Sequence, residues 1–167
     1  MKYTIREKRR EDSKDIVHVV TVSWNETYKG IVPANVLAEM YNNEDERLER
    51  EYKKYDDESI HQFVLEVDDK VVGFINIGKS KEEEYPDIGQ IYALYIINEY
   101  HGYGFGRKLF ELGMNELKKL GYNSVIIGCL VGNPTNEFYK YMGGTLARTK
   151  IFKRLNLPEN IYYYDNI

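Results

Sequence analysis

The sequence has very little cysteine and histidine. It contains one cysteine, Cys129, and three histidines, at positions 18, 61 and 101. A single cysteine excludes a disulfide within the chain and a zinc–cysteine cluster, and it is typical of a reducing compartment. The histidines lie too far apart for metal-ligand spacing. We therefore expect a cytoplasmic protein with no metal, in which Cys129 is a buried, unreactive thiol.

Long apolar runs are also missing. No segment approaches the ~18 consecutive apolar residues of a membrane span, and the charged residues 1–12 are not followed by the apolar core of a signal peptide. The 23 basic and 27 acidic residues give a net charge of −4, which argues against general nucleic-acid binding. We expect no membrane and no nucleic acid among the partners.

The chain is instead rich in tyrosine, with 16 among 167 residues. This length predicts one domain, residues 1–167. Hydrophobic periodicity and turn residues predict the order βααβββαβαββ. The predicted elements are a strand Tyr3–Lys8, a helix from Ser13 to Gly30, a helix Leu37–Tyr55, strands Gln62–Val67, Val71–Ile77 and Ile88–Ile97, a helix ending at Gly121, a strand Ser124–Val131, a helix from Asn133 to Gly143, and strands Thr145–Phe152 and Ile161–Tyr164 around a turn Leu157–Asn160. A hairpin that precedes a strand–helix–strand unit indicates an α/β (α+β) fold with a mixed sheet.

A glycine cluster stands between the most apolar predicted strand and the following helix. It reads His101-Gly102-Tyr103-Gly104-Phe105-Gly106-Arg107-Lys108. Backbone N–H groups at such a helix start favour a phosphate or pyrophosphate, and glycine lets the backbone approach the ligand closely. The spacing matches neither the dinucleotide fingerprint G-x-G-x-x-G nor the triphosphate loop G-x-x-x-x-G-K-[ST]. The cluster therefore predicts an anion site of another type.

Two motifs in this order resemble the GNAT family of N-acetyltransferases, in which a strand is followed by [RQ]-x-x-G-x-[GA]. Here Leu94-Tyr95-Ile96 precede the cluster, and Gly104 and Gly106 match the two motif glycines. The second motif, an asparagine, a helix with Phe-Tyr and a terminal glycine, is matched from Asn133 to Gly143. Residues 24–33 also resemble an N-terminal pattern of bacterial members. His101 departs from the family pattern, which has Arg or Gln there.

The resemblance implies a single N-acetyltransferase domain with a mostly antiparallel central sheet flanked by helices, and acetyl-coenzyme A as cosubstrate. The backbone of Leu94, Tyr95 and Ile96 would hold the pantetheine arm and polarise the thioester carbonyl. The remaining donor contacts would come from His101, Gly102, Tyr103, Gly104, Phe105, Gly106 and Arg107 at the pyrophosphate and from Asn133 at the pantetheine. The acceptor would be a small-molecule amine or a peptide, and a homodimer stays open.

The resemblance also places the general acid at Tyr139, whose phenol would protonate the departing thiolate. The alternative is a core tyrosine without a chemical role. Many members carry a glutamate base near the start of the central strand, where this chain has Gln90, which cannot accept a proton. We therefore expect a water-mediated route or another carboxylate, with Glu66 as one candidate. Gln90 also leaves open a non-catalytic acyl-coenzyme A-binding module.

The acceptor site is predicted only in outline. Trp24 and Tyr28 share one face of the first helix, which fits core packing and an aromatic wall for a cationic amine equally well. The acidic segment Glu82–Asp87 could attract a cation, although such runs usually form a solvated surface. Both small-amine and protein acetyltransferases remain open.

Overall fold

The computed structural model describes all 167 residues and contains five helices and seven strands. They are β1 (Tyr3–Glu7), α1 (Ser13–Thr27), α2 (Ala34–Asn42), α3 (Glu44–Asp56), β2 (His61–Val67), β3 (Lys70–Lys79), β4 (Gly89–Ile96), α4 (Phe105–Lys119), β5 (Val125–Leu130), α5 (Thr135–Tyr141), β6 (Thr145–Phe152) and β7 (Leu157–Tyr164).

The strands form one sheet in the order β1-β2-β3-β4-β5-β7-β6. All neighbours are antiparallel except β4 and β5, which are parallel. The prediction of a mixed, mostly antiparallel sheet flanked by helices is therefore confirmed. Helices cover both faces. On one face α4 and α5 pack over the largest apolar cluster, which includes Leu109, Leu117 and Tyr139. On the other, α1 and α2 cover two smaller clusters, around Ile16 and Leu37.

Two predicted boundaries are wrong. The helix expected over Leu37–Tyr55 is two helices, α2 and α3, separated at Asn43, whose backbone leaves helical geometry at φ −105° and ψ 19°. Asparagine favours such breaks because its side chain competes for backbone hydrogen bonds. The turn expected over Leu157–Asn160 lies earlier, because β7 already starts at Leu157 and Asn156 takes the left-handed turn conformation with φ +52°.

The two central strands of the sheet, β4 and β5, separate along part of their length. Strands β4 and β5 pair only from Gly89 to Ile91, although β4 continues to Ile96. The register between β3 and β4 shifts at the same point, because Asn76 pairs with Ala93 and the next residue, Ile77, pairs with Ile91. The bypassed residue, Tyr92, forms a bulge, which bends a strand and increases its twist. Beyond the bulge β4 parts from β5, and the gap between them positions the site.

Candidate functional site

A cleft of about 670 Å³ occupies the gap between β4 and β5. Both strands line it, together with the last turn of α1, the turn before α4 and the start of α5. Because β4 has no β5 partner beyond Ile91, backbone polar groups on that edge of Tyr92–Ile96 face the cleft rather than a neighbouring strand. Such groups are obligatory hydrogen-bond partners, so this edge is suited to bind a polar, extended ligand.

The turn after β4 takes its shape from two glycines. Gly102 and Gly104 adopt left-handed φ angles of +84° and +81°, and Gly104 is the N-cap of α4. A Cβ atom added at either position would meet nothing within 4 Å. These glycines therefore serve the backbone conformation and leave open space in front of the free N–H groups at the start of α4. That arrangement favours an anion.

The charged and aromatic side chains of the turn before α4 differ in what they contact and in whether they line the cleft. The His101 ring bonds back to β4, with Nε2 donating to the Ile96 carbonyl at 2.7 Å. Arg107 lines the cleft and pairs with Glu111 at 2.8 Å. Lys108 instead lies over the Tyr3 ring, 5.7 Å from its centroid. Tyr103 is 55% exposed and lies outside the cleft lining, unlike the other residues predicted for the donor site.

Tyr139 is a buried tyrosine on the α4–α5 side of the cleft. Its side chain lines the cleft and packs against Phe138 and Tyr162. The phenol forms no hydrogen bond with the protein, whereas the Tyr139 carbonyl accepts one from the Tyr164 hydroxyl at 2.6 Å. Burial raises the pKa of Tyr139 well above its ordinary value, and the neighbouring Cys129 adds to this. The phenol therefore keeps its proton at neutral pH and has it available to donate.

Trp24 on α1 and Tyr28, the residue that follows α1, are both part of the core and part of the cleft. Trp24 and Tyr28 line the cleft, with their rings edge to face at 4.9 Å. The Tyr28 hydroxyl accepts a hydrogen bond from Asn133 Nδ2 at 3.2 Å, and Asn133 Oδ1 accepts one from the Thr135 amide at 2.8 Å. The Asn133 side chain thus joins α1 to the start of α5 and has one Nδ2 hydrogen left for a ligand.

Glu66, the candidate base, and Gln90, which stands where many family members have a glutamate, lie elsewhere. Gln90 is outside the cleft lining, where its Oε1 accepts a hydrogen bond from the Lys81 amide at 2.8 Å. Glu66 lies on β2, paired with Arg6 at 2.8 Å, and is also outside the lining. The structure therefore brings neither residue to the site.

Two carboxylates do line the cleft, Glu26 and Glu159. Glu26 accepts a hydrogen bond from the Asn98 amide at 3.1 Å. Glu159 is partly buried and has no hydrogen-bond partner in the protein. Burial raises the pKa of Glu159, and the nearby Glu82 raises it further, against the opposing effect of Lys150. Sequence reasoning missed Glu159 because it assigned Leu-Pro-Glu-Asn to a turn, and no motif marks the residue.

Nowhere do three or more His, Cys, Asp or Glu side chains come together in a way that could hold a metal ion. None of the helices is long and apolar enough to cross a bilayer. The lone thiol, Cys129, is buried, and that burial, with a smaller effect of Glu159, raises its pKa to about 12.

Comparisons with protein families, curated proteins and solved structures all point to acetyltransferases. The model of the acetyltransferase (GNAT) family matches residues 19–143. The uncharacterized N-acetyltransferase YuaI of Bacillus subtilis (strain 168) is 32% identical over 143 residues, which span 82% of this chain and 77% of YuaI. The PaiA N-acetyltransferase of Thermoplasma acidophilum, solved in complex with coenzyme A, superposes with a TM-score of 0.78 at 19% identity, covering 99% of each chain. The ribosomal-protein-S18-alanine N-acetyltransferase of Escherichia coli gives 0.70 at 16% identity, covering 99% of this chain and 94% of its own.

Proposed function

The chain belongs to the GNAT acetyltransferase family, and from this premise we propose that it transfers an acetyl group from acetyl-coenzyme A to a primary amine. The observation that carries the proposal is the cleft. An unpaired strand edge, a glycine turn at a helix start and a protonated phenol open into one space between β4 and β5. The coenzyme A complex of the Thermoplasma relative supports the choice of donor.

The residues of the cleft fit such a donor. The free edge of Leu94–Ile96 would bind the amide-containing pantetheine arm by adding it as a strand. The backbone amides from Gly102 to Arg107 would hold the pyrophosphate, and the open space beside Gly102 and Gly104 admits it without a clash. Tyr103 contributes through its backbone, because its side chain is exposed. When bound, the donor supplies an activated acetyl group.

The protein contributes position, charge stabilisation and a proton. Backbone N–H groups on the free edge of β4 stabilise negative charge that develops on the acyl oxygen, and they are strongest in a cleft that excludes water. Tyr139 donates its proton to the leaving sulfur, since its phenol lines the cleft and is protonated at neutral pH. An alkylamine with a pKa of ~10.4 is neutral in only about four molecules in ten thousand at pH 7, so the acceptor needs help to lose its proton.

For the acceptor we propose a small cationic amine. The carboxylates of Glu26 and Glu159 line the same cleft as the rings of Trp24 and Tyr28. Carboxylates attract an ammonium group, and aromatic faces add a cation–π contribution of ~0.5–2 kcal/mol. The overall charge of −4 acts in the same direction.

The test is coenzyme A release from acetyl-coenzyme A across a panel of polyamines, amino acids, aminoglycosides and peptides. We expect release with a small cationic amine. Tyr139→Phe should lower turnover about 100-fold, within the range of general acid catalysis, with unchanged donor binding by calorimetry. Tyr141→Phe, a change at the 77% exposed tyrosine of the same helix, is the matched control and should retain full turnover. Donor binding without release for any amine would contradict the proposal and indicate a non-catalytic binding module. Release with peptides alone would contradict the acceptor class.

A further inference from the structure

We propose that Glu159 on β7 is the general base that accepts the proton of the attacking amine. This inference rests on the proposed function above. It assigns the missing base to a strand on the far side of β5, rather than to the start of β4, where Gln90 stands.

The position of Glu159 relative to the sheet supports this role. A Cβ atom added at Gly128 of β5 would lie 2.7 Å from Glu159 Oε2 and 3.5 Å from Ile161 Cδ1, so these three residues share one face. Cys129, the next residue of β5, points to the opposite face, in the same apolar cluster as Tyr139. The carboxylate and the phenol therefore approach the cleft from opposite faces of the sheet.

That separation suits a direct transfer. The amine must attack the acyl carbon from one side while the sulfur leaves on another. A base on the face of the sheet where the amine enters can take the proton of the amine, while an acid on the other face protonates the sulfur. The two side chains then do not compete for one position. The face of Glu159 is also the face covered by α1 and α2, because Leu130 and Leu157 pack there with Tyr28. This is the side where the proposed acceptor wall lies.

Glu159 is free to act because the neighbouring charges are already paired. Its register partner on β6 is Lys150, and the Lys150 ammonium binds Glu82 from the β3–β4 loop. On β5 its register partner is the apolar Leu130, and the buried thiol of Cys129 lies on the opposite face of that strand. No protein donor binds the Glu159 carboxylate. Glu26, the other carboxylate of the cleft, already accepts the Asn98 amide.

The environment also tunes the proton affinity of the carboxylate. Burial and then Glu82 raise the pKa of Glu159, while Lys150 lowers it. A raised pKa brings a base closer to the pKa of the proton it must accept, which improves proton transfer. Glu159 remains ionised at pH values above its raised pKa and loses its function as the pH falls through that value.

The reacting acceptor is the neutral amine, which forms when the ammonium group releases one proton to solvent. Its nitrogen lone pair forms the C–N bond, and the C–S bond breaks with its electron pair moving to sulfur. One N–H proton passes to the Glu159 carboxylate, and the Tyr139 proton passes to sulfur. Glu159 then releases its proton to solvent and the Tyr139 phenolate takes one up, so both residues return to their starting states.

The experiment compares wild type with Glu159→Gln and Glu82→Gln. Three measurements are made on each: amine-dependent coenzyme A release from pH 5 to 9, the thermal shift with acetyl-coenzyme A, and carboxyl NMR of ¹³C-labelled glutamate. The Glu159 resonance is identified by its loss in Glu159→Gln. Glu82→Gln removes a like charge and frees Lys150 to pair with Glu159, so it moves the pKa of Glu159 without touching the carboxylate.

We expect Glu159→Gln to lower kcat/KM about 100-fold at pH 7, with the thermal shift retained. The acid limb of the wild-type profile should coincide with the NMR titration of Glu159, and both should move to lower pH in Glu82→Gln. If the wild type is active and Glu159→Gln keeps its turnover within about twofold, or if the limb and the NMR titration move independently, Glu159 is not the base. A wild type that binds donor but releases no coenzyme A with any amine overturns the proposed function itself, and with it this assignment.

Discussion

Replacing Gly104 by alanine separates the backbone role of this residue from its proposed role in donor binding. Gly104 has a φ of +81° at the start of α4 and lines the cleft. A Cβ atom there meets no protein atom within 4 Å. The methyl group therefore costs the folded protein only its backbone strain, but it would point into the space proposed for the donor's pyrophosphate.

The magnitude of the strain follows from the backbone angle. A left-handed conformation costs an L-residue roughly 1–2 kcal/mol, and alanine also restricts the unfolded chain, which recovers about 0.4–1 kcal/mol. We expect a net loss of about 1 kcal/mol, or a fall in Tm of about 2–4 °C for a domain of this size. Gly121 provides the matched control, since its φ is +98°, its Cβ position is equally open, and it lies outside the cleft lining.

The assay pairs chemical unfolding with calorimetric titration of coenzyme A. Gly104→Ala and Gly121→Ala should lose similar stability, because both carry similar strain. Only Gly104→Ala should lose donor affinity, by at least 10-fold. Equal affinities for the two variants and wild type would refute the placement of the pyrophosphate at this turn.

Two further predictions concern groups outside the proposed chemistry. Lys8→Met leaves the buried carboxylate of Glu51 without its 2.9 Å partner and should lower the free energy of unfolding, measured with denaturant, by about 3–5 kcal/mol. The double variant Lys8→Met/Glu51→Leu should recover most of that loss. Equal stabilities for the single and double variants would contradict a buried ion pair. Cys129, whose pKa burial raises to about 12, has about one thiolate in ten thousand at pH 8, so iodoacetamide should modify it, by mass spectrometry, only in denaturant. Rapid alkylation of the folded protein would show that the thiol is accessible.

The order of elements could be predicted because each depends on a local pattern. The α4 stripe of Leu109, Phe110 and Leu117 has helical spacing, and these residues do pack in the main core. The break at Asn43 could not be predicted by the same rule, because apolar spacing continues across it from Met40 to Leu48. There the local preference of asparagine and the packing of α2 on Tyr28 decide the geometry.

Most residues that the motifs predict for donor binding line the cleft, as do Trp24 and Tyr28, whereas Glu159 was not predicted. The glycine turn and Tyr139 lie in contiguous motifs, so their neighbours in sequence are also their neighbours in space. Glu159 reaches the cleft only through pairing of β7 with β5, between residues about 30 positions apart. It also needs glycine at the diagonal position, Gly128, since a side chain there would occupy the space of the carboxylate. Tertiary pairing of this kind leaves no short-range signal in a single sequence.

A crystal structure of the protein with coenzyme A would show whether a thioester donor occupies the gap between β4 and β5 with its sulfur at Tyr139. We expect the pantetheine arm to be hydrogen-bonded to the backbone of Leu94–Ile96 and the pyrophosphate to lie on the amides from Gly102 to Arg107. The sulfur should lie within hydrogen-bond distance of the Tyr139 hydroxyl. Coenzyme A bound outside this gap, or with its sulfur directed away from Tyr139, would contradict this placement of the donor.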